Sequence, residues 1–221
     1  MSRWNNALNN VMTAVLTLCA LVVTALVLRR ELRPTPAPTA GDYTIPGRYI
    51  PGADAYREPS TTLSIGQSLT IVEFSDFQCP FCATASTQLK ALEAQFPGRI
   101  NIQYRHLPIG QIHAHARKAA LAAECAAEQR AFPEFASALF AQQGRIGQRS
   151  WHDFARAAGV ADVSAFQRCV EIERWATRVR QDSAAAAELG IDATPTFLVG
   201  DSLYVGLPTI RQMTEWVERA N

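Results

Sequence analysis

The segment from Ile71 to Cys82, with the sequence IVEFSDFQCPFC, constrains the fold of this 221-residue chain more than any other. A short apolar run of β-forming residues ends in a turn, and two cysteines then open an alanine-bearing helical pattern. Residues i and i+3 lie on the same side of a helical turn, so Cys79 and Cys82 can close a small disulfide ring. The segment therefore predicts a strand that delivers a redox dithiol to the start of a helix.

The start of a helix gives the two sulfurs different chemistry. Pro80 suits the first helical turn, because its missing N–H would have no partner there. Free backbone N–H groups and the positive end of the helix dipole stabilise a thiolate at Cys79, which lowers its pKa and makes it the nucleophile. Cys82 lies one turn further on as the resolving thiol. Phe81 offers neither a charge nor a hydrogen bond, so it tunes the pair only weakly.

A carboxyl group interrupts the apolar run before the dithiol. Glu73 lies in the middle of that run, six residues before Cys79. A buried carboxyl group is costly unless it is paired or neutral. One interpretation is a buried proton acceptor beneath the dithiol that serves Cys82. The alternative is a glutamate on a strand edge that faces water.

A second motif lies far downstream, in the sequence GIDATPTFLVG, where Pro195 directly precedes a strand pattern. Proline fits the first residue of a strand, and a cis peptide bond before it is one hypothesis. Together, the run from Glu73 to Cys82 and the Thr194-Pro195 pair resemble the thioredoxin superfamily, specifically its DsbA-like branch of thiol–disulfide oxidoreductases. The resemblance covers about residues 60–221.

The resemblance implies an α/β thioredoxin fold in which Pro195 is cis and packs against the dithiol, while Thr194 presents backbone groups to a substrate peptide. It implies thiol-containing protein substrates and a quinone-linked membrane reoxidant of the DsbB or vitamin K epoxide reductase type. No bound cofactor is expected, because the disulfide itself carries the electrons. The best-known DsbA enzymes have histidine where this chain has Phe81, which weakens the expectation of a very strongly oxidising potential.

The part of the chain that precedes this domain consists of two regions with different compositions. The residues from Val11 to Leu28 carry no charged side chain. A helix of that length spans about 27 Å, close to the thickness of the hydrocarbon core of a bilayer. We expect one N-terminal transmembrane helix within an anchor of residues 1–32, and a cleaved signal peptide is the alternative. Proline and glycine predict a linker over residues 33–60, followed by the DsbA-like domain over residues 61–221.

Charge and redox chemistry disagree about the side of the membrane on which this domain lies. Arg29, Arg30 and Arg33 follow the apolar span, whereas only Arg3 precedes it. The positive-inside rule would therefore put the domain in the cytoplasm. The resemblance implies the opposite side, and we follow the chemistry. The expectation is a single-pass protein of the cytoplasmic (inner) membrane with a periplasmic catalytic domain.

A long helical pattern separates the two motifs. Residues 100–106 alternate apolar and polar side chains like a strand, and a helical pattern then occupies about residues 108–190. A minimal thioredoxin fold needs only one helix at this point, so we expect an inserted helical subdomain. Cys125 and Cys169 both fall within it. Because related DsbA-like sequences have cysteines in similar places, a structural disulfide is one expectation in an oxidising compartment. Two unpaired buried thiols are the alternative.

Other function classes find little support in the sequence. The formal net charge of +1 gives no reason to expect a nucleic acid as partner. His113 and His115 together with the dithiol are candidate metal ligands. However, residues i and i+2 of a helix point in different directions, so no metal site is predicted, and solvated histidines are the simpler interpretation.

Three hypotheses about function remain at this point. The leading one is a membrane-anchored thiol–disulfide oxidoreductase that donates disulfides to extracytoplasmic proteins. A disulfide reductase or isomerase of the same fold is the second, and the reduction potential separates it from the first. The third is a non-catalytic protein on a thioredoxin scaffold that binds a metal through Cys79 and Cys82 or docks a partner. Replacing Cys82 with alanine separates that protein from an enzyme, because only an enzyme would accumulate mixed disulfides at Cys79.

Overall fold

The computed structural model describes residues 44–57, 61–64 and 69–220, together with Met12, Leu16, Thr17, Val22 and Thr24. Contacts divide the chain into two units, Met1–Asp42 and Tyr43–Asn221. Most of the predicted membrane span, Val11 to Leu28, and the first part of the predicted linker lie outside the described residues. Among the residues that are described, no helix combines the length and the apolar character needed to cross a membrane.

One mixed sheet forms the centre of the second unit. Its strands, within the described residues, are β1 (Arg48–Tyr49), β2 (Thr61–Ser64), β3 (Leu69–Ser75), β4 (Ile100–His106), β5 (Thr196–Val199) and β6 (Ser202–Val205). They lie in the order β1-β6-β5-β3-β4-β2. β3 is central: it pairs with β4 in parallel and with β5 in antiparallel fashion. This α/β arrangement agrees with the predicted fold class.

Helices cover both faces of the sheet. In the described residues they are α1 (Pro80–Gln95), α2 (Ala116–Ala127), α3 (Phe132–Ala141), α4 (Trp151–Ala157), α5 (Val163–Glu171), α6 (Ala176–Glu188) and α7 (Ile210–Arg219), with short 3-10 helices at Ala53–Tyr56 and Gln143–Arg145. The segment between β4 and β5 contains α2 to α6, so helices occupy the position where the sequence predicts an insertion.

Local signals explain where several of these helices begin and end. The side-chain oxygens of Ser150, Asp162 and Thr209 accept hydrogen bonds from backbone N–H groups three residues later and cap α4, α5 and α7. Gly190 ends α6 in the left-handed conformation, with φ of 64°. Capping residues and a terminal glycine thus fix helix boundaries that apolar periodicity alone leaves open.

The two faces of β3 pack against different helices. Ile71 belongs to an apolar cluster with Leu89 of α1, whereas Val72 packs in a second cluster with Leu189 next to α6. Successive side chains of a strand point to opposite faces of the sheet. Glu73 therefore shares the face of Ile71, beneath the helix that follows the dithiol. Burial of β3 on both faces is typical of a strand with helices on either side.

The helical segment has its own aromatic core, and a disulfide crosses it. Cys125 of α2 and Cys169 of α5 are bonded, with a Cα–Cα distance of 5.8 Å. Phe135, Phe154 and Phe166 belong to the same buried cluster as the two cysteines. The two cysteines that the sequence offers as a candidate pair are thus joined in the structure.

The boundary of the predicted linker over residues 33–60 needs correction. Arg48–Tyr49 forms an edge strand on β6, and the side chains of Ile45 and Ile50 are buried. Gln212 of α7 also holds the backbone of Ile45, with bonds of 3.0 Å to its N–H and 2.7 Å to its carbonyl. The prolines and glycines indicate turns correctly. They do not show that the apolar residues between these turns pack against an edge of the sheet. The described part of this segment, residues 44–57, belongs to the folded unit.

Removing the disulfide is expected to destabilise the helical segment. The bridge closes a loop with a sequence separation of 44 residues. Loop-closure entropy for such a length predicts a loss of about 4 kcal/mol of unfolding free energy in a double variant, Cys125→Ala with Cys169→Ala. Denaturant unfolding of the oxidised wild type and the variant measures the difference. Equal midpoints and slopes would show that the bridge contributes nothing to stability.

Candidate active site

The dithiol stands at the junction between the sheet and α1. Cys79 is the N-cap residue of α1, with φ of −75° and ψ of 122°, and Pro80 occupies the first turn. The Cys79 carbonyl accepts hydrogen bonds from the N–H groups of Cys82 at 3.1 Å and Ala83 at 3.3 Å. The N–H groups of the first turn have no partner within the helix and so remain available to a negative charge near the cap.

The loop before β5 meets the dithiol from the other side. The Thr194–Pro195 peptide bond is cis. In its protonated form the Cys79 thiol donates a hydrogen bond to the Thr194 carbonyl at 3.3 Å, which brings together two residues 115 positions apart. The carbonyl of Pro195 accepts a hydrogen bond from the N–H of Gly206 at 2.9 Å, which ties this loop to the end of β6. The two sequence motifs therefore form one site.

The environment shifts the pKa values of the two thiols in opposite directions. A hydrogen bond from the Cys82 thiol, with smaller contributions from the Thr194 side chain and the first-turn N–H groups, lowers the pKa of Cys79 to about 5 against the opposing effect of burial. Burial, the hydrogen bond to Cys79 and the charge of Glu73 raise the pKa of Cys82 far above its usual range. Cys79 is thus a thiolate at neutral pH, while Cys82 stays protonated.

Glu73 is fully buried beneath this pair. Neither of its carboxylate oxygens has a hydrogen-bond partner among the described residues. Burial raises the pKa of Glu73 to about 7, against a smaller lowering effect of the Ser75 side chain, and the charge of Cys79 adds to the increase. The carboxyl group can therefore exist in either protonation state near neutral pH, as a group that exchanges protons must. Its register partner on the neighbouring strand β4 is Tyr104.

The comparisons with known proteins agree with this geometry. A model of the family described as Thioredoxin matches residues 60–219. The chain belongs to the thioredoxin family. Among solved structures, a thioredoxin-like oxidoreductase from Silicibacter pomeroyi DSS-3 is similar to this chain, at 28% identity with a TM-score of 0.62, over 76% of this chain and 96% of that one. DsbA2 of Pseudomonas aeruginosa is 25% identical with a TM-score of 0.59, over 72% of this chain and 94% of that one.

A relative of a different kind also matches this thioredoxin-family chain. The Na(+)/H(+) antiporter NhaA 3 of Salinispora tropica is 33% identical over 152 residues, which cover 69% of this chain but only 23% of the antiporter. The chain thus spans about a quarter of the length of the curated relatives it matches. The similarity supports the fold of the matched segment. It does not extend the transport function of the antiporter to this chain.

Asp76 is a residue of this thioredoxin-family site that the sequence reasoning missed. Its carboxylate accepts hydrogen bonds from the backbone N–H groups of Gln78 and Ile109, both at 2.8 Å. It also pairs with Nδ1 of His113 at 2.8 Å, so His113 is not the solvated side chain that the sequence suggested. An Asp side chain that accepts from the backbone N–H two residues later is a turn signal that the local sequence can suggest. The contacts of Asp76 with Ile109 and His113 are distant in sequence and give no such signal.

A second histidine is also held by a carboxylate in this fold. Nε2 of His106 lies 2.8 Å from Oε1 of Glu124, which also accepts a hydrogen bond from the Thr61 hydroxyl. Burial favours a higher pKa for Glu124, but His106 and Thr61 together lower it. Among the residues that the structure describes, no group of three or more His, Cys, Asp or Glu side chains is arranged to hold a metal ion.

The thiolate character of Cys79 predicts unusual reactivity at acidic pH. We expect its alkylation rate in the reduced full-length chain to be half-maximal near pH 5, because only the thiolate reacts. Replacing Cys82 with alanine removes the largest stabilising hydrogen bond, so the midpoint should rise. Mass spectrometry of the Cys79 peptide after timed iodoacetamide pulses measures both. A wild-type midpoint near the ordinary thiol value of about 8.5 would contradict the prediction.

The buried Glu73 predicts a pH-dependent loss of stability. The folded state binds the carboxyl proton more tightly than the unfolded state, since the pKa rises from 4.5 to about 7. Stability therefore falls as pH rises through that window, by at most about 3 kcal/mol in the oxidised chain, where Cys79 carries no charge to add to the shift, and Glu73→Gln should remove this contribution. Denaturant unfolding of the oxidised chain at several pH values tests this.

The oxidised form is required for that test. In the reduced form the Cys79 pKa lies below its ordinary value, so the thiolate adds stability as pH rises and opposes the Glu73 effect. Parallel stability profiles for the oxidised wild type and Glu73→Gln would show that the Glu73 carboxyl titrates normally.

Proposed function

We propose that this chain is a protein thiol–disulfide oxidoreductase that donates the Cys79–Cys82 disulfide to thiol-containing proteins. The observation that carries the proposal is the separation of the two sulfurs into a stabilised thiolate and a buried thiol at one helix N-terminus. A disulfide is a strong oxidant when its reduced form is stabilised, and a thiolate of low pKa provides that stabilisation.

The reaction begins with a substrate thiolate that attacks the sulfur of Cys79. The new bond joins the substrate to Cys79, the Cys79–Cys82 bond breaks, and Cys82 leaves with the electron pair. Protonated Glu73 supplies the proton that keeps Cys82 neutral, which its pKa of about 7 permits. A second substrate thiolate then attacks the substrate sulfur of the mixed disulfide and releases Cys79 as a thiolate. Two electrons pass from the substrate to the dithiol, and the remaining proton goes to solvent.

Reoxidation reverses the role of Glu73. Its carboxylate accepts the proton of Cys82, so that this sulfur can attack the mixed disulfide formed between Cys79 and the reoxidant. The reoxidant in this proposal is a quinone-linked membrane protein of the DsbB or vitamin K epoxide reductase type. Thr194 and Pro195 would hold the substrate backbone beside the sulfur, which fits the Cys79 contact to the Thr194 carbonyl. The side chain of Phe81, between the two cysteines in sequence, is exposed.

The proposed location is the inner membrane, with a single N-terminal helix as anchor and a periplasmic catalytic domain. The uncharged run from Val11 to Leu28 supports the anchor. The Cys125–Cys169 disulfide supports an oxidising compartment, because such bridges do not persist in a reducing cytosol. Relatives named as antiporters carry the matching segment within a membrane transport protein, which also favours a place at the membrane. The folded unit then begins near residue 44, after a shorter linker than the sequence alone suggests.

A reductase or isomerase of the same fold is the second candidate. The observation that favours it is Phe81, which supplies no charge and no polar side-chain group between the cysteines. The same two sulfurs would then carry electrons in the opposite direction, to the disulfides of other proteins.

Trapping of mixed disulfides tests the proposed exchange. We expect a Cys82→Ser variant, mixed with a reduced unfolded protein and an oxidant, to accumulate adducts through Cys79, because the internal thiol that would displace the substrate is gone. A Cys79→Ser variant is the matched control and should form none. Non-reducing electrophoresis and mass spectrometry identify the bonded residue. Equal adduct yields from both variants, or none from either, would contradict a role of Cys79 as the exchanging nucleophile.

A further inference from the structure

A glutamine from the helical segment contacts the backbone of the dithiol loop. Nε2 of Gln143 donates hydrogen bonds to the carbonyl of Phe77 at 2.8 Å and to the carbonyl of Cys79 at 2.7 Å. Gln143 opens the short 3-10 helix that follows α3, so it comes from the segment between β4 and β5. One amide group thereby holds the chain on both sides of Gln78.

The residue between these two anchors is held from the same segment. The side-chain oxygen of Gln78 accepts a hydrogen bond from the backbone N–H of His115 at 2.6 Å. The backbone N–H of Cys79 in turn bonds to the Asp76 carbonyl at 3.0 Å. Several consecutive residues before α1 are therefore fixed by hydrogen bonds, and the Gln143 side chain bonds directly to the carbonyl of the nucleophilic cysteine.

Of the two carbonyls that Gln143 contacts, that of Cys79 controls the direction of the first helical turn. It also accepts the N–H groups of Cys82 and Ala83, which makes it the acceptor that starts α1. The N–H groups of Phe81 and Cys82 stabilise the Cys79 thiolate. A turn that loses its anchor can rotate, and these N–H groups then no longer face the sulfur. The polarised amide hydrogens of Gln143 also place a partial positive charge beside the same residue.

We propose that Gln143 is a positioning residue that aims the first turn of α1 at the Cys79 sulfur and so couples the helical segment to the redox chemistry of the dithiol. This inference rests on the proposed function only for its consequence in disulfide exchange. The positioning itself is a property of the reduced chain and is measurable without a substrate.

The chain offers a matched control for this proposal. Gln129 also lies in the helical segment, is also partly buried, and also makes two backbone hydrogen bonds, both to Asp162, at 2.9 Å and 2.7 Å. It does not touch the dithiol loop. Gln129→Ala therefore reports what the loss of a glutamine with two backbone contacts does to stability alone, whereas Gln143→Ala adds the effect on the sulfur.

The experiment compares full-length wild type, Gln143→Ala and Gln129→Ala in two measurements. The first is the pH midpoint of Cys79 alkylation, and the second is the equilibrium constant of the Cys79–Cys82 pair with glutathione. Gln143→Ala should raise the alkylation midpoint and make the pair less oxidising, by about two- to tenfold in the equilibrium constant, the effect of one or two lost hydrogen bonds. Gln129→Ala should match wild type in both. Identical values for the two variants would overturn the proposal.

A second variant keeps the test decisive if Gln143→Ala does not fold. Gln143→Glu preserves the size of the side chain, but its carboxylate cannot donate to either carbonyl and adds a negative charge near the sulfur. The alkylation midpoint should rise at least as far as in Gln143→Ala, and an unchanged midpoint would overturn the proposal. A wild-type chain that exchanges no disulfide with glutathione would refute the proposed function alone, because the alkylation midpoints would still decide the role of Gln143.

Discussion

The chemistry of the site depends on one structural constraint: the Cys79 sulfur lies at the N-terminus of a helix that is packed tightly against the sheet. β3 carries the chain to this point, and α1 returns over the same face, where Leu89 packs in one cluster with Ile71. Side chains in such a core have little freedom, since native interiors are close-packed. The helix therefore keeps its first N–H groups near the sulfur, and the difference between the two thiols follows from this fixed geometry together with the burial of Cys82.

Burial beneath the dithiol also lowers the stability of the fold at Glu73. Glu73 lies in a sheet position that an apolar residue would fill with greater stability, because a buried carboxyl without a partner is unfavourable when charged. Its pKa near 7 places it where it can both give and accept a proton close to neutral pH. Groups that reduce stability in this way are concentrated at functional sites. The burial of Glu73 beneath Cys82 is thus better explained by proton exchange than by stability.

The sequence predicts those parts of the site that are encoded locally. The strand, the turn and the Cys79–Cys82 spacing lie within one short segment, and Glu73 stands out because it breaks an apolar run. Thr194 and Pro195 required the combination of two distant motifs. Asp76 and Gln143 were missed, because their contacts join residues far apart in sequence and polar side chains of this kind are common on surfaces. The linker boundary was placed too late for a similar reason, since composition does not show which sheet edge an apolar residue such as Ile50 will cover.

The central claim is that the fixed thiolate of Cys79 makes the Cys79–Cys82 disulfide an oxidant. The most direct test is the redox equilibrium of the full-length chain in glutathione buffers, with the oxidised and reduced forms separated by thiol labelling. The stabilised thiolate predicts a reduction potential closer to the value of about −120 mV for a strong disulfide donor than to the value of about −270 mV for a reductase. A potential near the latter value would contradict the claim and assign the chain to the reduction of disulfides.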